Sequence, residues 1–555
     1  MFTNKTTIFF SLFFIGILIY GNTLFNDFVW DDREIIKLLS HLQIRDVPSF
    51  FIDSQSQSGG SIPLYRPLTT FFLIIQYTIF GASPFLFHFV QIILHVFNSF
   101  LIFYIFKKLL KHLITAYILS VIFLVHPINV EAVAFLTSEA YFTFFGLLAL
   151  VLTISLKENW KTLILIYTSL LLSLFAKESA ILFLVVFFLF KILFHRKKLI
   201  THILSTSGIL LIYLFFRFVL ARLYVATAPN FPIARLSLSE RLINIPKIIS
   251  FYIETFFFPK NLIIGQQWIV ENINFNNFYY PLIKVALVFI GLALFGIYLF
   301  RKKNATFKVF LFFYIWLLLG LGLHIQILPL NMTVADRWFY FPIVGLLGVM
   351  GVFFIQFKSG NRLIKTAVLI VTSLLIVILS IRTIFQNSTW ANDKTLFSYA
   401  AQFDTQNPFI FNNYGLVLLN EKKYNEAEIY FKKALELDPN YWEAMNNLGF
   451  SANLKGDKQK TKEYFLKSIE INDNQIVNEN LALFLKENES AEELIRFLEQ
   501  AVKKFPRHQK FHIMLMLKYI ERGEIEKAKE ICVKALVINP NPELKKVCPN
   551  LYLLK

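Results

Sequence analysis

This 555-residue chain is short of charge. Charged side chains make up 17% of it, against roughly 25% in soluble globular domains, which excludes an ordinary soluble protein over the whole length. Disorder is excluded as well, because 56% of the residues are hydrophobic and Phe alone counts 64. Cysteine is nearly absent. Cys532 and Cys548 both lie far toward the C-terminus and suggest neither a disulfide framework nor a metal site. Acidic residues are outnumbered, 37 Asp and Glu against 55 Lys and Arg, for a net charge of +18. In a soluble chain that excess would suggest nucleic acid. Here many of the cations sit in short clusters between apolar runs, the pattern of the positive-inside rule, and no nucleic-acid partner is expected.

The shortage of charge ends near Phe385, and beyond it the chain has a normal soluble mixture of residues. This predicts an all-α protein: a polytopic membrane domain over 1–386, a linker over 387–407 and a soluble domain over 408–555. Apolar runs near 7–24, 84–106, 110–126, 132–155, 161–176, 179–194, 201–220, 282–300, 307–329, 338–357 and 364–386 give about eleven spans. The first follows a lone Lys5 without a small-residue cleavage site and reads as an uncleaved span. With that count, five cationic clusters fall on the side of the N-terminus: Lys107/Lys108/Lys111, Lys157/Lys161, Lys191/Arg196/Lys197/Lys198, Arg301/Lys302/Lys303 and Lys358/Arg362/Lys365. The N-terminus is then cytoplasmic and the C-terminus lies outside. Pro67–Phe80 is too short to span and reads as an interfacial or re-entrant helix. The stretch 222–280 is assigned to the outer side, with a partly embedded helix near 247–258.

Beyond Asn407 a period appears. Tyr414-Gly415, Tyr424, Ala427, Phe431, Ala434 and Pro439 are followed 34 residues on by Leu448-Gly449, Phe465 and Ser468, with Thr461 and Asp473 where Ala and Pro are expected. Leu481-Ala482, Ala501 and Pro506 mark a third unit; Ala528, Ala535 and Pro540 mark a fourth. This is tetratricopeptide spacing, about four repeats forming an α-solenoid with a concave face for an extended partner. Asn412, Asn413, Asn446 and Asn447 are candidate groove residues, while Tyr441 and Trp442 suit either the groove or interhelix packing.

Five constellations on the outer side could carry chemistry, because ionisable residues at membrane depth are costly to keep. Asn26-Asp27-Phe28-Val29-Trp30-Asp31-Asp32-Arg33 sets two carboxylates just after the first span, placed to act as a general base or to hold a cation. The others are Leu64-Tyr65-Arg66-Pro67-Leu68, with His88 and His95 further on; His126-Pro127-Ile128-Asn129-Val130-Glu131-Ala132-Val133, then Ser138-Glu139; Phe175-Ala176-Lys177-Glu178-Ser179; and the run from Leu330 through Ala335-Asp336-Arg337-Trp338-Phe339-Tyr340-Phe341-Pro342. Taken singly, each also reads as a helix cap, a hairpin ion pair or an interfacial belt.

The ordered set WDD, YRPL, HPxxxEAV, AKES and ADRWFYFP, followed by tetratricopeptide repeats, resembles the transmembrane and tetratricopeptide-repeat-containing O-mannosyltransferases of the GT-C superfamily. Ser138-Glu139-Ala140 departs from the Gly-Arg-Ala-Asp-like run usual in that family. The resemblance implies transfer of mannose or a similar hexose from a polyprenyl-phosphate donor to an acceptor hydroxyl, a protein Ser or Thr, on the non-cytoplasmic side, with the repeats recruiting the acceptor. It maps the catalytic carboxylates to Asp31, the base, and Asp32, its support. Arg337, Arg66 and Lys177 would meet the lipid phosphate, and His126, Glu131 and Glu178 would orient the sugar or acceptor. No metal or other cofactor is required by this scheme, and the ligands that would join Asp31 and Asp32 around a divalent ion are missing nearby. The Phe-, Ile- and Lys-rich composition and the lack of a disulfide pattern in the repeats point to a bacterial inner membrane with periplasmic repeats, or, in a eukaryote, to the ER membrane with lumenal repeats. The alternative is a non-catalytic, membrane-anchored repeat scaffold or assembly factor.

Overall fold

The computed structural model describes residues 4–52, 65–196, 198–223, 231–356, 362–538 and Cys548, without the side chains of Arg362, Lys365 and Ile538. Leu64, Lys197, Lys358 and Pro540 of the sequence patterns lie outside the described residues. Within them every regular element is helical, and the one strand-like contact is an isolated bridge between Gln266 and Val334. The chain divides into two compact units, Met1–Phe403 and Asp404–Lys555.

In the first unit a helix overlaps each of the eleven expected segments. Five are long and apolar enough to cross a membrane: Lys5–Phe25, Pro84–Leu110, Leu199–Leu220, Phe275–Arg301 and Thr366–Thr389. A sixth span results if Leu113–Val125 and Pro127–Ala134, bent by 51°, are one broken crossing. The remaining apolar helices are shorter, such as Glu139–Ser155, Trp160–Ala176 and Phe307–Leu323. The chain is a multi-pass membrane protein in which several apolar runs are interrupted. Pro127 interrupts one, because it has no N–H to continue the ladder, and the non-helical stretch Phe135–Ser138 interrupts another.

Two segments differ in extent from the sequence reading. The helix expected near 247–258 begins at Leu238, because Ser237 and Glu240 form a capping box that starts it earlier, and it runs to Phe257 through Pro246. Residues 387–407 are largely helical rather than a plain linker: Arg362–Thr389 continues past 386 and Asp393–Phe403 forms the last helix of the first unit.

The core of this unit is aromatic. Phe183 packs edge-on to Trp316 and Phe341, with ring centroids 5.8 and 4.9 Å apart. The helices Phe307–Leu323 and Pro342–Gln356 form the hairpin whose connection carries Arg337. They approach so closely that a Cβ on Gly345 would sit 2.5 Å from the Leu317 backbone nitrogen, the small-residue contact that lets membrane helices touch backbone to backbone.

The second unit is four helical pairs in series: Pro408–Asn420 with Tyr424–Leu437, Trp442–Leu454 with Lys458–Ile471, Gln475–Asn488 with Ala491–Lys504, and Gln509–Glu521 with Ile525–Ile538. Phe465 is buried against Gly449, where a Cβ would lie 2.7 Å from its ring. Thr461, standing where Ala is expected, buries its hydroxyl by donating to the Asp457 carbonyl at 2.8 Å. Tyr441 and Trp442 are both 9% exposed and so belong to the interhelix packing.

The cysteines correct the sequence reading. Cys532 and Cys548 form a disulfide inside the apolar core of the last helical pairs. A single pair 16 residues apart has no spacing signature, so only the fold reveals it. The missing disulfide pattern therefore no longer argues for any compartment.

Gly345→Val should disrupt the Arg337 hairpin, because the neighbouring atoms are backbone and cannot rotate away. We expect a loss of about 1–3 kcal/mol or more, read as a lower Tm of the detergent-solubilised chain. A wild-type Tm would contradict the close contact.

Candidate active site

The two ends of the membrane unit differ in chemistry. At one end the Lys5 and Lys108 ammonium groups lie over the Tyr104 ring, 5.0 and 5.7 Å from its centroid. At the other end of the same helix pair, Phe25 meets Phe85 and Phe28 meets Phe87. The segment carrying Asp31 and Asp32 therefore emerges at the end opposite this lysine cluster.

Its local geometry is unusual. The Asp32 N–H donates to the Val29 carbonyl at 3.0 Å, closing a four-residue turn. Trp30 occupies the second position with φ 49° and ψ −123°, the conformation of a type II′ turn that normally calls for glycine. A Trp there stores about 1–3 kcal/mol of strain, a cost that persists only where surroundings over-determine the backbone. Those surroundings come from 363 residues downstream: Asp393 Oδ1 accepts from the Trp30 N–H at 2.7 Å, and Asp393 Oδ2 pairs with Arg33 at 3.0 Å. Trp30 also stacks on Phe135, 5.5 Å between centroids.

The turn launches the helix Asp31–Ser40, whose N-terminus favours the negative charge of Asp31, Asp32 and Glu34. The two aspartates then diverge. Asp32 is fully buried and its Oδ1 accepts from the Leu136 N–H at 3.1 Å. Burial holds its carboxyl well above the usual carboxylate range in spite of that bond. Asp31 keeps access to solvent while protein surrounds it on most sides. Burial pushes its carboxyl up to about 6, with Arg337 pulling it down and the negative charge of Glu34 adding to the rise. The pair therefore cannot work as one chelating doublet.

Beside Asp31 lies a chain of ion pairs built from four of the five motifs. Arg337 donates to Glu131 from its side chain, and from its backbone N–H at 2.9 Å. Its Nε lies 4.0 Å from Glu139, which accepts from Lys177. Arg66 grips Glu178 with two nitrogens, at 2.9 and 3.4 Å. Burial opposes ionisation of Glu178, but the Arg66 guanidinium overrides it and holds that carboxyl at about 2. Each candidate phosphate-binding cation thus already has a carboxylate partner. The third guanidinium nitrogen of Arg337, Nη2, meets a weaker acceptor, the Met332 sulfur, at 3.8 Å. A cavity of about 10 Å³, room for about one water, opens among Glu139, Lys177, His324, Arg337 and Trp338.

The structure brings Asp31, Glu131, Lys177, Arg337, Arg66 and Glu178 into one electrostatic neighbourhood. It commits His126 elsewhere. That ring stacks flat on Phe256, its Nε2 meets the Phe256 carbonyl at 2.9 Å and its Nδ1 accepts from the Ile128 N–H at 3.2 Å, so no nitrogen is left for a sugar. His95 is similarly held by Tyr340 and the Leu124 carbonyl. In the repeats, Asn447 donates to Asn412 at 2.8 Å and Asn480 to Asn446 at 2.9 Å, a ladder running from one helical pair to the next. Asn413 stands outside it, donating to the Phe409 carbonyl at 2.8 Å on its own helix.

Sequence reasoning assigned no role to Glu139 and missed Asp393. Glu139 was detectable as a carboxylate at the head of an apolar run. Asp393 has no local signal, because its partners stand 360 or more residues away in the chain. Among the described residues, no group of three or more His, Cys, Asp or Glu is arranged to hold a metal ion.

Tetratricopeptide-repeat family models match residues 408–441 and 430–463. Protein O-mannosyl-transferase F38B6.6 of Caenorhabditis elegans is 27% identical over 464 residues, 77% of this chain and 62% of that protein. Protein O-mannosyl-transferase TMTC3 of Homo sapiens is 30% identical over 236 residues, 38% of this chain and 25% of that protein. The chain thus spans less than two thirds of the length of either relative. Among solved structures, YrrB, described as a TPR protein with an unusual peptide-binding site, aligns at 18% identity over 28% of this chain and 82% of its own, with a TM-score of 0.24. The resemblance read from the ordered motifs is matched by these curated relatives.

Glu131→Ala would leave the Arg337 guanidinium, 12% exposed, without its main partner. Losing one side of a buried pair costs about 3–5 kcal/mol, so the variant should melt well below wild type, with Glu131→Gln between them. Equal melting of all three would show that the pair contributes nothing to the fold.

Proposed function

We propose that the chain is a membrane glycosyltransferase that moves mannose or a similar hexose from a polyprenyl-phosphate donor to the hydroxyl of a protein Ser or Thr. The observation that carries this reading is the convergence of a solvent-accessible carboxylate, Asp31, with the Arg337–Glu131 and Glu139–Lys177 ion pairs, at the end of the helices opposite the lysine cluster. The similarity to named protein O-mannosyl-transferases supports it.

In this scheme Asp31 takes the proton of the acceptor hydroxyl as that oxygen attacks the anomeric carbon. The bond from that carbon to the phosphate oxygen breaks, and its electron pair leaves with the polyprenyl phosphate. Arg337, through Nη2, which can exchange the weak Met332 sulfur contact for a phosphate oxygen, meets the charge that grows on the leaving phosphate, with Lys177 beside it. Asp32 does no proton chemistry; it ties the start of its helix to the Leu136 backbone. Glu131 and Glu139 hold the cations in place, and Arg66 with Glu178 braces the neighbouring loop. The repeats recruit the acceptor as an extended peptide.

Asp31 works ionised, and its carboxyl is raised to about 6. Transfer should therefore climb as pH rises through about 6 and level off above it. In a purified-protein assay with labelled polyprenyl-phosphate mannose and acceptor peptide, Asp31→Asn should lower kcat by about 10²–10⁴-fold and abolish that acid limb. Full transfer by Asp31→Asn would remove Asp31 from the chemistry.

The buried Cys532–Cys548 disulfide supports a repeat unit that resides in an oxidising, non-cytoplasmic compartment. Alkylation of the chain denatured without reductant should then add no label, and alkylation after reduction should add two. Two labels before reduction would argue for a reducing compartment.

A further inference from the structure

The proposed base is held by a carboxylate that the reaction scheme does not use. Asp393 opens the helix Asp393–Phe403, yet it does not cap that helix. Asn392 does, accepting from the Thr395 N–H at 3.0 Å through Oδ1 and from the Leu396 N–H at 3.0 Å through its carbonyl. The Asp393 carboxylate is therefore free for other work, and both of its oxygens go to the turn before Asp31. One accepts from the Trp30 N–H at 2.7 Å and the other pairs with Arg33 at 3.0 Å. With a side chain only 16% exposed, it is not a loose surface contact.

The same stretch fastens the segment at three further points. The Asp27 N–H donates to the Ala391 carbonyl at 2.9 Å, Asn26 donates to the Asn387 carbonyl at 3.1 Å, and Phe135, on which Trp30 stacks, lies 5.8 Å from the Trp390 ring. What sets Asp393 apart is where it acts. Trp30 is held at φ 49°, a conformation that side-chain-bearing residues rarely adopt, and Asp31 is the next residue. Relaxation of Trp30 to negative φ would rotate the peptide leading into Asp31 and change the direction of its side chain.

We propose that Asp393 is a positioning residue for the transfer reaction: its carboxylate clamps the strained Val29–Asp32 turn and so fixes the direction in which Asp31 faces the acceptor. This role rests on the glycosyltransferase reading of the site. A displacement of about 1 Å at a reacting group costs up to about 100-fold in rate, so the clamp belongs to kcat rather than to donor binding.

The bond from Trp30 needs an oxygen in the right place more than it needs charge. Asp393→Asn keeps that oxygen and should retain kcat within about threefold, whereas Asp393→Glu keeps the charge but moves the oxygen by one methylene, and should lose about tenfold. Asp393→Ala should lose about 10–100-fold, with KM for polyprenyl-phosphate mannose within about twofold. Arg33→Gln, which removes the half-exposed ion pair and the exposed bond from Arg33 Nε to the Phe28 carbonyl but leaves the Trp30 bond to Asp393, should stay within about threefold. Hydrogen exchange of the full-length chain in detergent supplies a readout independent of turnover: the peptide covering 28–33 should exchange faster in Asp393→Ala and Asp393→Glu, and as wild type in Asp393→Asn. Should Asp393→Ala fail to fold, the Asn and Glu variants decide the matter. Wild-type kcat and exchange in Asp393→Glu, or an Asn variant as impaired as Glu, would overturn the clamp. Absence of transfer by the wild-type chain would count against the glycosyltransferase reading alone; the exchange pattern would still decide whether Asp393 holds the turn.

Discussion

The buried pair between Arg337 and Glu131 is the constraint on which the rest of the site depends. It joins residues 206 positions apart, one in a hairpin connection and the other on a short helix after a proline break. Neither charge is tolerable there alone. Together they bring Glu139 within 4.0 Å of the guanidinium and, through Glu139, bring Lys177 into the same neighbourhood. Such a pair adds little net stability over an apolar filling, but it is costly to break on one side. It therefore selects the arrangement in which the helices carrying these residues meet, and it sets the guanidinium where its charge acts on Asp31.

Around that pair the membrane unit is held by shape more than by charge. Phenylalanine and tryptophan rings interlock in its interior, and glycines such as Gly345 let helices touch where a larger residue would separate them. This division of labour comes from the solvent. Lipid offers no hydrophobic gain for helix association, so packing and a few buried polar contacts must do it. The repeat unit obeys the rules of water, with aromatic rings against small residues inside, ion pairs on its surface and one buried disulfide.

The strained turn at Trp30 shows how a site can be built from a contact that no motif encodes. The WDD tripeptide announces acidic residues after a span, but it does not say that its tryptophan takes a glycine's conformation, nor that the two aspartates face different environments. Burial of Asp32 and access to Asp31 are set by where the Leu136 N–H and the Asp393 carboxylate stand. His126 is the converse case. As a histidine beside a proline at the end of an apolar run it looks available for chemistry, yet both ring nitrogens are consumed by the backbone around it.

From its sequence alone this chain is of the all-α class, embedded in a membrane over its first part and built of tetratricopeptide pairs over its last. Those properties depend on composition and on local periods, which neighbouring residues carry among themselves. The positions of the candidate site residues were legible too, because a charge at membrane depth is conspicuous wherever it occurs. What only the tertiary structure decided is which of those charges meet, which carboxylate stays open, where apolar runs break, and that Cys532 finds Cys548. Those outcomes hang on contacts between residues tens to hundreds of positions apart. Their energy comes from burial that exists only once the helices have packed, so no local window of sequence contains it.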